Sequence, residues 1–416
     1  MRAYTSKAQA IEAFAKHVSS AKAAFWQQLN MDFVMGNRDG CWMRDVEGEK
    51  KLFNLHTNGG VFNLGHRNPE ISRTLVDALD EVDMGNGHLI SWARAALAEK
   101  IAATMPADLA YTVFGVSGGE AVDLAIKVAR AYSGKTKIIS AKGGYHGHTG
   151  LALAAGDEKY RLPFGPPAPG FEQVPFGSLA DLETAVDDDT AAVILETVPA
   201  TLGMPIASPQ YYPGIRKLCD RKGALLILDE VQTGLGRTGK LWAFEHFKVV
   251  PDVVVLGKGL SGGIYPISAT VIRKPLESVF HPDPHIHVST FGGSELGCLV
   301  ALKVLKISSD PRFLDHVNRM ADHIRQHVEK LMGRHSILKG LRQLGLFMGL
   351  ELEDELCGQL LCAAAYQHDL FMVYANNNKS VCQLLPPLII DENQADWVAG
   401  QLDQALAATG EMKKAF

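Results

Sequence analysis

Lys258 closes the run Asp-Val-Val-Val-Leu-Gly-Lys and is followed by Gly-Leu-Ser-Gly-Gly. A lysine ordinarily carries its ammonium to water on a long stem, and one placed at a strand end can do no more than that. Among glycines at the end of a buried strand, the same amine can instead be partly desolvated and form a Schiff base with a carbonyl. Asp229 weights the second reading. It ends the run Ala-Leu-Leu-Ile-Leu-Asp, so its carboxylate sits at a strand end and needs a cation or donor if buried. A protonated pyridine nitrogen is one such partner, and pyridoxal phosphate chemistry needs a carboxylate there to keep the ring an electron sink.

Gly118 and Gly119 open a helical pattern whose apolar positions include Ala121, Leu124, Ala125 and Val128. Free amides at a helix start attract anions, and glycine lets a phosphate come close. A glycine pair before a helix is also often only a turn. The segment GLGRTG at 234–239 looks like a dinucleotide fingerprint, but it runs into Lys-Leu-Trp and not into an apolar helix, so that reading fails. On the loop GGYHGHT at 143–149, Tyr145 can stack on a flat cofactor. His146 and His148 read as polar loop residues. A metal pair there would lack a third ligand nearby, and no metal is expected.

These residues need a scaffold. From about residue 110, short Val/Ile/Leu-rich runs at 137–141, 192–196, 225–230, 253–258 and 267–272 alternate with helical patterns at 119–132 and 208–222. Apolar runs without polar alternation indicate strands covered on both faces. The expected fold class is α/β, a mostly parallel central sheet sandwiched by helices, with chemistry at the carboxyl ends of its strands. Before it, residues 1–30 read as one or two helices with a break near Ser19 and Ser20. Residues 38–56 read as a small antiparallel element, and 69–81 and 91–105 as helices. The stretch 162–176 reads as an irregular loop rich in proline and glycine. A helix at 294–309 leads out of the sheet region. Beyond it come a helix, a strand-like passage at 343–352, a helix at 356–367, VCQLLPPLII and a final amphipathic helix, together a smaller α+β domain. The expected boundaries are 1–56 for an N-terminal segment joining the small domain, 57–304 for the large domain and 305–416 for the small one.

Composition narrows the class. The 416 residues carry 41 basic and 46 acidic side chains, a net of -5, with 47% apolar and 21% charged. That is ordinary globular usage and excludes a disordered, collagenous or coiled-coil chain. The mild acidity supplies no attraction to nucleic acid or to an anionic membrane. No apolar run reaches a membrane span. The six scattered cysteines form no CxxC pair, which suits thiols in a reducing compartment, and the expected location is the cytoplasm.

Taken together, LGHRNP (64–69), VSGGEAVDLAIKVAR (116–130), GGYHG, LILDEVQTGLGRTG, LGKGLSGGIYPISA, STFGG and LLPPL resemble the class III aminotransferases, the fold type I pyridoxal-phosphate enzymes of the ornithine and omega-amino-acid type. The resemblance runs from about residue 37 to 410. It implies pyridoxal 5'-phosphate as cofactor, with Lys258 as the Schiff-base lysine and proton carrier and Asp229 paired with the pyridine nitrogen. It places Val231 on one ring face and Tyr145 on the other, with Gln232 at the phenolic oxygen. The phosphate would take the amides of Gly118 and Gly119 plus Thr290 from a neighbouring subunit, which implies a homodimer with shared sites. Glu196 matches the start of the family's EPVQGE-like segment, and Arg237 reads as structural.

The departures bear on substrate. Gly119 stands where the family often has a threonine or serine. Thr201 stands where ornithine-type enzymes carry a gating glutamate, and Gln383 where an arginine commonly clamps a substrate carboxylate. Glutamine can hydrogen-bond a carboxylate but supplies no bidentate cation. Arg161 and Arg94 are candidates for a replacement. The expected function is transfer of an amino group from a small-molecule donor to a keto or aldehyde acceptor by a ping-pong mechanism, with a nonstandard amine or biosynthetic intermediate as one substrate. Epimerisation, amino migration or decarboxylating transamination on the same fold are the alternatives, and a non-catalytic binding homologue is a third.

Overall fold

Four consecutive valine and leucine residues, Val253–Leu256, are wholly buried, and they lie near the middle of a seven-stranded sheet. The computed structural model describes residues 3–415; positions 1, 2 and 416 of the expected terminal segments lie outside the described residues. The strand order is Leu109–Gly115, Ser268–Arg273, Val253–Leu256, Leu225–Asp229, Thr190–Glu196, Lys137–Ala141 and Phe171–Val174. The five strands from Val253–Leu256 to Phe171–Val174 pair in parallel. Ser268–Arg273 runs antiparallel to both of its neighbours.

The absence of polar alternation follows from two covered faces. Ile227, Val253 and Val255 face the helix Gly118–Ser133 through Ala121, Val122 and Ala125. Leu226, Leu228 and Val254 belong to the opposite core with Tyr212, Ile215 and Val304. Each fully buried aliphatic side chain contributes about 1.5–3 kcal/mol relative to exposure. The buried hydroxyls inside the strands, Ser140 and Thr270, donate to the carbonyls of Ala155 and Ala121, so a buried carboxylate is tolerated only at the strand ends. That is where Asp229 and Glu196 stand.

A second sheet, antiparallel throughout, has the order Leu338–Leu344, Phe347–Leu352, Asn378–Leu384 and Val373–Ala375. Helices Pro311–Arg334, Glu355–Gln367 and Glu392–Lys414 accompany it. Its core joins Val317, Ile324, Leu350, Leu361 and Leu402 to Phe53 and Leu55 from the N-terminal region. Those two flank Asn54 at the end of a small sheet, Met35–Asp39, Trp42–Asp45 and Lys51–Asn54, to which Leu370–Phe371 adds in parallel. Near the N-terminus, helices Lys7–His17 and Ser20–Gln28 meet at Ser19, whose hydroxyl accepts the Lys22 N–H.

Two sequence expectations need correcting. The stretch 162–176 is not irregular throughout, because Phe171–Val174 pairs with Lys137–Ala141 as the sheet edge. Proline and glycine are interrupted only for the four residues of the strand, between Gly170 and Pro175. The passage at 343–352 is the second half of a hairpin whose first strand starts at Leu338, its outward face concealing the pattern. Among the described residues no helix is long and apolar enough to cross a membrane.

Candidate active site

Parallel register places Glu196 directly beside Asp229, and Asp229 beside Val255, so both acids stand at the carboxyl edge of the central sheet. The next strand leads through Gly257 to Lys258. The Lys258 backbone is left-handed, with φ of 43°, a conformation that costs a side-chain-bearing residue roughly 1–3 kcal/mol. Its carbonyl accepts the Ser261 hydroxyl at 2.7 Å. The Lys258 Nζ donates to Gln232 Oε1 at 2.6 Å. Gly59 crosses above it with φ of +65°, and a Cβ there would lie 3.2 Å from Nζ. Burial lowers the proton affinity of Lys258, opposed by the charges of Asp229 and Glu196.

Asp229 is held on two sides. Its Oδ1 accepts the Val231 N–H at 3.0 Å, and its Oδ2 faces His146 Nδ1 at 2.9 Å. His146 is buried, and its Nε2 has no hydrogen-bond partner. Burial by itself lowers the basicity of His146, but the bond to Asp229 outweighs it and the net shift is upward. Glu196 Oε1 accepts the Tyr145 amide at 2.8 Å. Burial pushes its carboxyl up to about 7, with His146 pulling downward and Asp229 adding to the rise. The adjacent Glu230 has a different task. It accepts the hydroxyls of Thr197 and Thr233 and the amides of Ala243 and Phe244, tying the following turns to the sheet.

The opposite end of this cavity, about 400 Å³ in volume, is the start of the helix Gly118–Ser133. A Cβ on Gly118 would meet Val231 at 3.0 Å, and one on Gly119 would meet Thr149 Oγ1 at 2.9 Å. A side chain at either position would crowd these neighbours. Thr149 makes no capping bond at its own helix, and its hydroxyl stands where a side chain on residue 119 would go. Val231 and Tyr145 also line the cavity, and Tyr145 packs edge-on with His148 and Tyr160. A flat aromatic aldehyde with a phosphate tail, pyridoxal phosphate, fits this donor set and these walls.

A second chamber of about 540 Å³ shares Tyr145, His148, Gln232 and Lys258 with the first, and its walls include Trp26, His56, Thr201 and Gln383. Burial, then the charge of Lys258, lowers His56 to about 4, so it is a neutral ring at physiological pH. Thr201 donates to the Gly143 carbonyl at 3.1 Å. Gln383 is 6% exposed, and its Oε1 has no partner. No arginine lines either chamber among the described residues. Arg161 lies on a separate cavity, and Arg94 is committed to the carbonyls of Gly293, Leu89 and Asn86. Neither supplies a clamp within the chain. Arg237 is fully buried, donating to Asn63 Oδ1 and to the carbonyls of Leu346 and Pro386.

The chain therefore brings Lys258, Asp229, Glu196, Gly118, Gly119, Tyr145, Val231 and Gln232 around one cavity, with Thr201 and Gln383 in its extension. Thr290 is exposed and does not line its own chain's cavity. The sequence reading missed His56, Thr149 and Tyr160, and it took His146 for an ordinary loop residue. Nothing in their spacing marks them. Only the crossing of distant loops over the sheet edge does so.

An amine-bearing lysine, a carboxylate opposite a bare helix start, and flat apolar walls between them define a pyridoxal-phosphate enzyme of fold type I. Residues 25–406 match the aminotransferase class-III family, and the chain belongs to it. An uncharacterized aminotransferase of Archaeoglobus fulgidus is 55% identical over 408 residues, covering 98% of this chain and 96% of that one. A transaminase from the marine bacterium Virgibacillus superposes with a TM-score of 0.90 at 26% identity, covering 97% of this chain and all of the other. The ornithine aminotransferase of Toxoplasma gondii superposes with a TM-score of 0.89 at 25% identity, over 99% and 97% of the two chains. The protein is a pyridoxal-phosphate-dependent aminotransferase that works by a ping-pong mechanism.

Proposed function

We propose that one of its two substrates is an amine, or the matching carbonyl compound, that is not recognised through an arginine-bound α-carboxylate: a nonstandard amine or biosynthetic intermediate. The observation that carries this reading is Gln383, buried on the substrate chamber with no arginine on either chamber wall. A neutral amide offers a carboxylate a single hydrogen bond where a guanidinium offers two charged ones. The walls supplied by Trp26, His56 and Tyr160 suit a ring or an uncharged chain.

Bound in the first cavity, pyridoxal phosphate supplies an aldehyde for the amine and a ring that holds the electron pair left when the substrate carbon loses its proton. Asp229, anchored by His146 and by the Val231 amide, pairs with the pyridine nitrogen. Val231 and Tyr145 hold the ring faces. Gln232 takes the phenolic oxygen, while Gly118, Gly119 and Thr149 take the phosphate. Lys258, whose proton affinity burial lowers, would carry a proton from the amine-bearing carbon of the donor to the C4' carbon of the cofactor in the first half-reaction, and from C4' to the carbonyl carbon of the acceptor in the second. Thr290 serves the phosphate site of a second copy. Its setting among the exposed Ile286, Val288 and Phe291 suits a face buried in a homodimer.

The test is a half-reaction panel on the cofactor-loaded enzyme, with α-amino acids, omega-amino acids, diamines and amino sugars offered separately. The expected result is loss of the aldehyde-form absorbance with release of a carbonyl product, fastest for a donor without an α-carboxylate. Glutamate and 2-oxoglutarate proving the best donor and acceptor would overturn the substrate reading. Proton exchange from a substrate without carbonyl release would overturn amino transfer from that substrate.

A further inference from the structure

On the helix Pro311–Arg334, His323 and His327 are four residues apart and so project from one face. Asp396 meets them from the helix Glu392–Lys414. The Nε2 atoms of the two imidazoles lie 3.3 Å apart, and Asp396 Oδ1 is 2.6 Å from the first and 2.8 Å from the second. We propose that His323, His327 and Asp396 form a binding site for a divalent transition-metal ion of the zinc type, which staples these two helices.

The geometry is close to what such an ion requires. Four-coordinate zinc holds imidazole nitrogen and carboxylate oxygen at about 2.0–2.2 Å, which sets neighbouring ligand atoms about 3.3 Å apart. The two nitrogens already have that separation. Asp396 has to withdraw by roughly half an ångström to match it, and its side chain is 55% exposed and free to do so. Two imidazoles and one carboxylate favour zinc, nickel, cobalt or copper over calcium or magnesium, which prefer all-oxygen sites. The fourth position opens to solvent and would be held by water.

The site rests on rigid supports. Met320, Ile324 and Val328 anchor the first helix in the C-terminal core, and Ala395, Val398 and Leu402 anchor the second. The second helix is fixed one turn before Asp396 by reciprocal bonds between Asp391 and Gln394. The three groups are therefore brought together before any ion arrives, and binding orders little chain. None of the three lines either chamber of the active site, so the ion's contribution is to the stability of the C-terminal region and not to the chemistry of amino transfer.

The test uses chelator-treated holoenzyme, titrated with zinc chloride in equilibrium dialysis and with cobalt chloride in visible absorption. The expected result is one zinc per chain at micromolar concentration, with a tetrahedral-type cobalt spectrum and a melting temperature that rises with zinc concentration. His323→Ala, His327→Ala and Asp396→Asn should each weaken binding by about tenfold or more and remove the thermal shift, leaving turnover unchanged. His335→Ala, outside the trio, should behave as the parent. Uptake only at millimolar zinc, or micromolar uptake that survives all three substitutions, would overturn the site.

Discussion

His146 Nδ1 lies 2.9 Å from Asp229 Oδ2, and the two residues are 83 positions apart in the chain. Asp229, to which we assign the cofactor nitrogen, is thus positioned by a buried histidine whose other ring nitrogen has no hydrogen-bond partner. This makes His146 a positioning residue, acting through Asp229.

His146→Ala should leave that carboxylate short of a donor and cost about 1–3 kcal/mol of stability. The upward shift of His146 means the folded state holds its proton more tightly than the unfolded chain. Its contribution is complete below its ordinary value near 6.5 and fades as pH rises through the folded value. The loss should therefore be larger at pH 6 than at pH 9 in urea titrations. His146→Asn, which retains a donor, should recover much of that stability. Equal stability losses at both pH values would refute this role.

Glu196 works in the opposite direction. Its carboxyl is raised from 4.5 to about 7, so the folded apoenzyme keeps a proton that the unfolded chain has released. Stability should fall as pH rises from about 4.5 to 7 and then level off. Glu196→Gln removes that penalty. The variant apoenzyme should exceed the parent by up to about 3 kcal/mol above pH 7, with the difference vanishing below pH 4.5. Urea midpoints measured from pH 4 to 9 decide it.

At the phosphate end, Thr149 Oγ1 would be 2.9 Å from a Cβ on Gly119. If its hydroxyl replaces one that a side chain on 119 would carry, Thr149→Ala loses a bond to a charged group worth about 1.5–3 kcal/mol. Cofactor dissociation in equilibrium dialysis should then be weakened by roughly ten- to a hundredfold. Gly119→Ser alone should also weaken binding, because its Cβ meets Thr149. The double variant, in which that oxygen is gone, should regain affinity. An unchanged dissociation constant for Thr149→Ala would exclude the contact.

Restoring a charged pair should redirect the substrate chamber. Gln383→Arg together with Thr201→Glu supplies a cation and a counter-charge on the same chamber. Its kcat/KM for 2-oxoglutarate should rise by roughly tenfold or more, the value of a charge-assisted bond. Gln383→Arg alone should be less stable than the double variant, since an unpaired buried charge is costly. No gain toward 2-oxoglutarate would show that recognition lies elsewhere.

The sequence by itself determined the parts that depend on short stretches of chain. Unbroken apolar runs such as Val253–Leu256 mark strands covered on both faces. A carboxylate or lysine ending such a run has to emerge at the sheet edge, and glycines opening a helix leave amides bare. The placement of Lys258 and Asp229 at the sheet edge and of Gly118 and Gly119 at a helix start was legible for those reasons, and the motifs they belong to carried the family. The edge strand Phe171–Val174 was hidden because flanking prolines and glycines dominate its local composition.

Only the tertiary structure decided which distant residues meet. Parallel register sets Glu196 beside Asp229, and loop crossings bring His146 under that aspartate and Thr149 against Gly119. Arg237 reaches across 174 residues to Asn63 instead of turning to the substrate. Such pairings depend on strand order and on how loops cross the sheet edge, and neither leaves a period or a spacing in the chain. For the same reason the trio of His323, His327 and Asp396 becomes visible only once the two C-terminal helices are packed side by side.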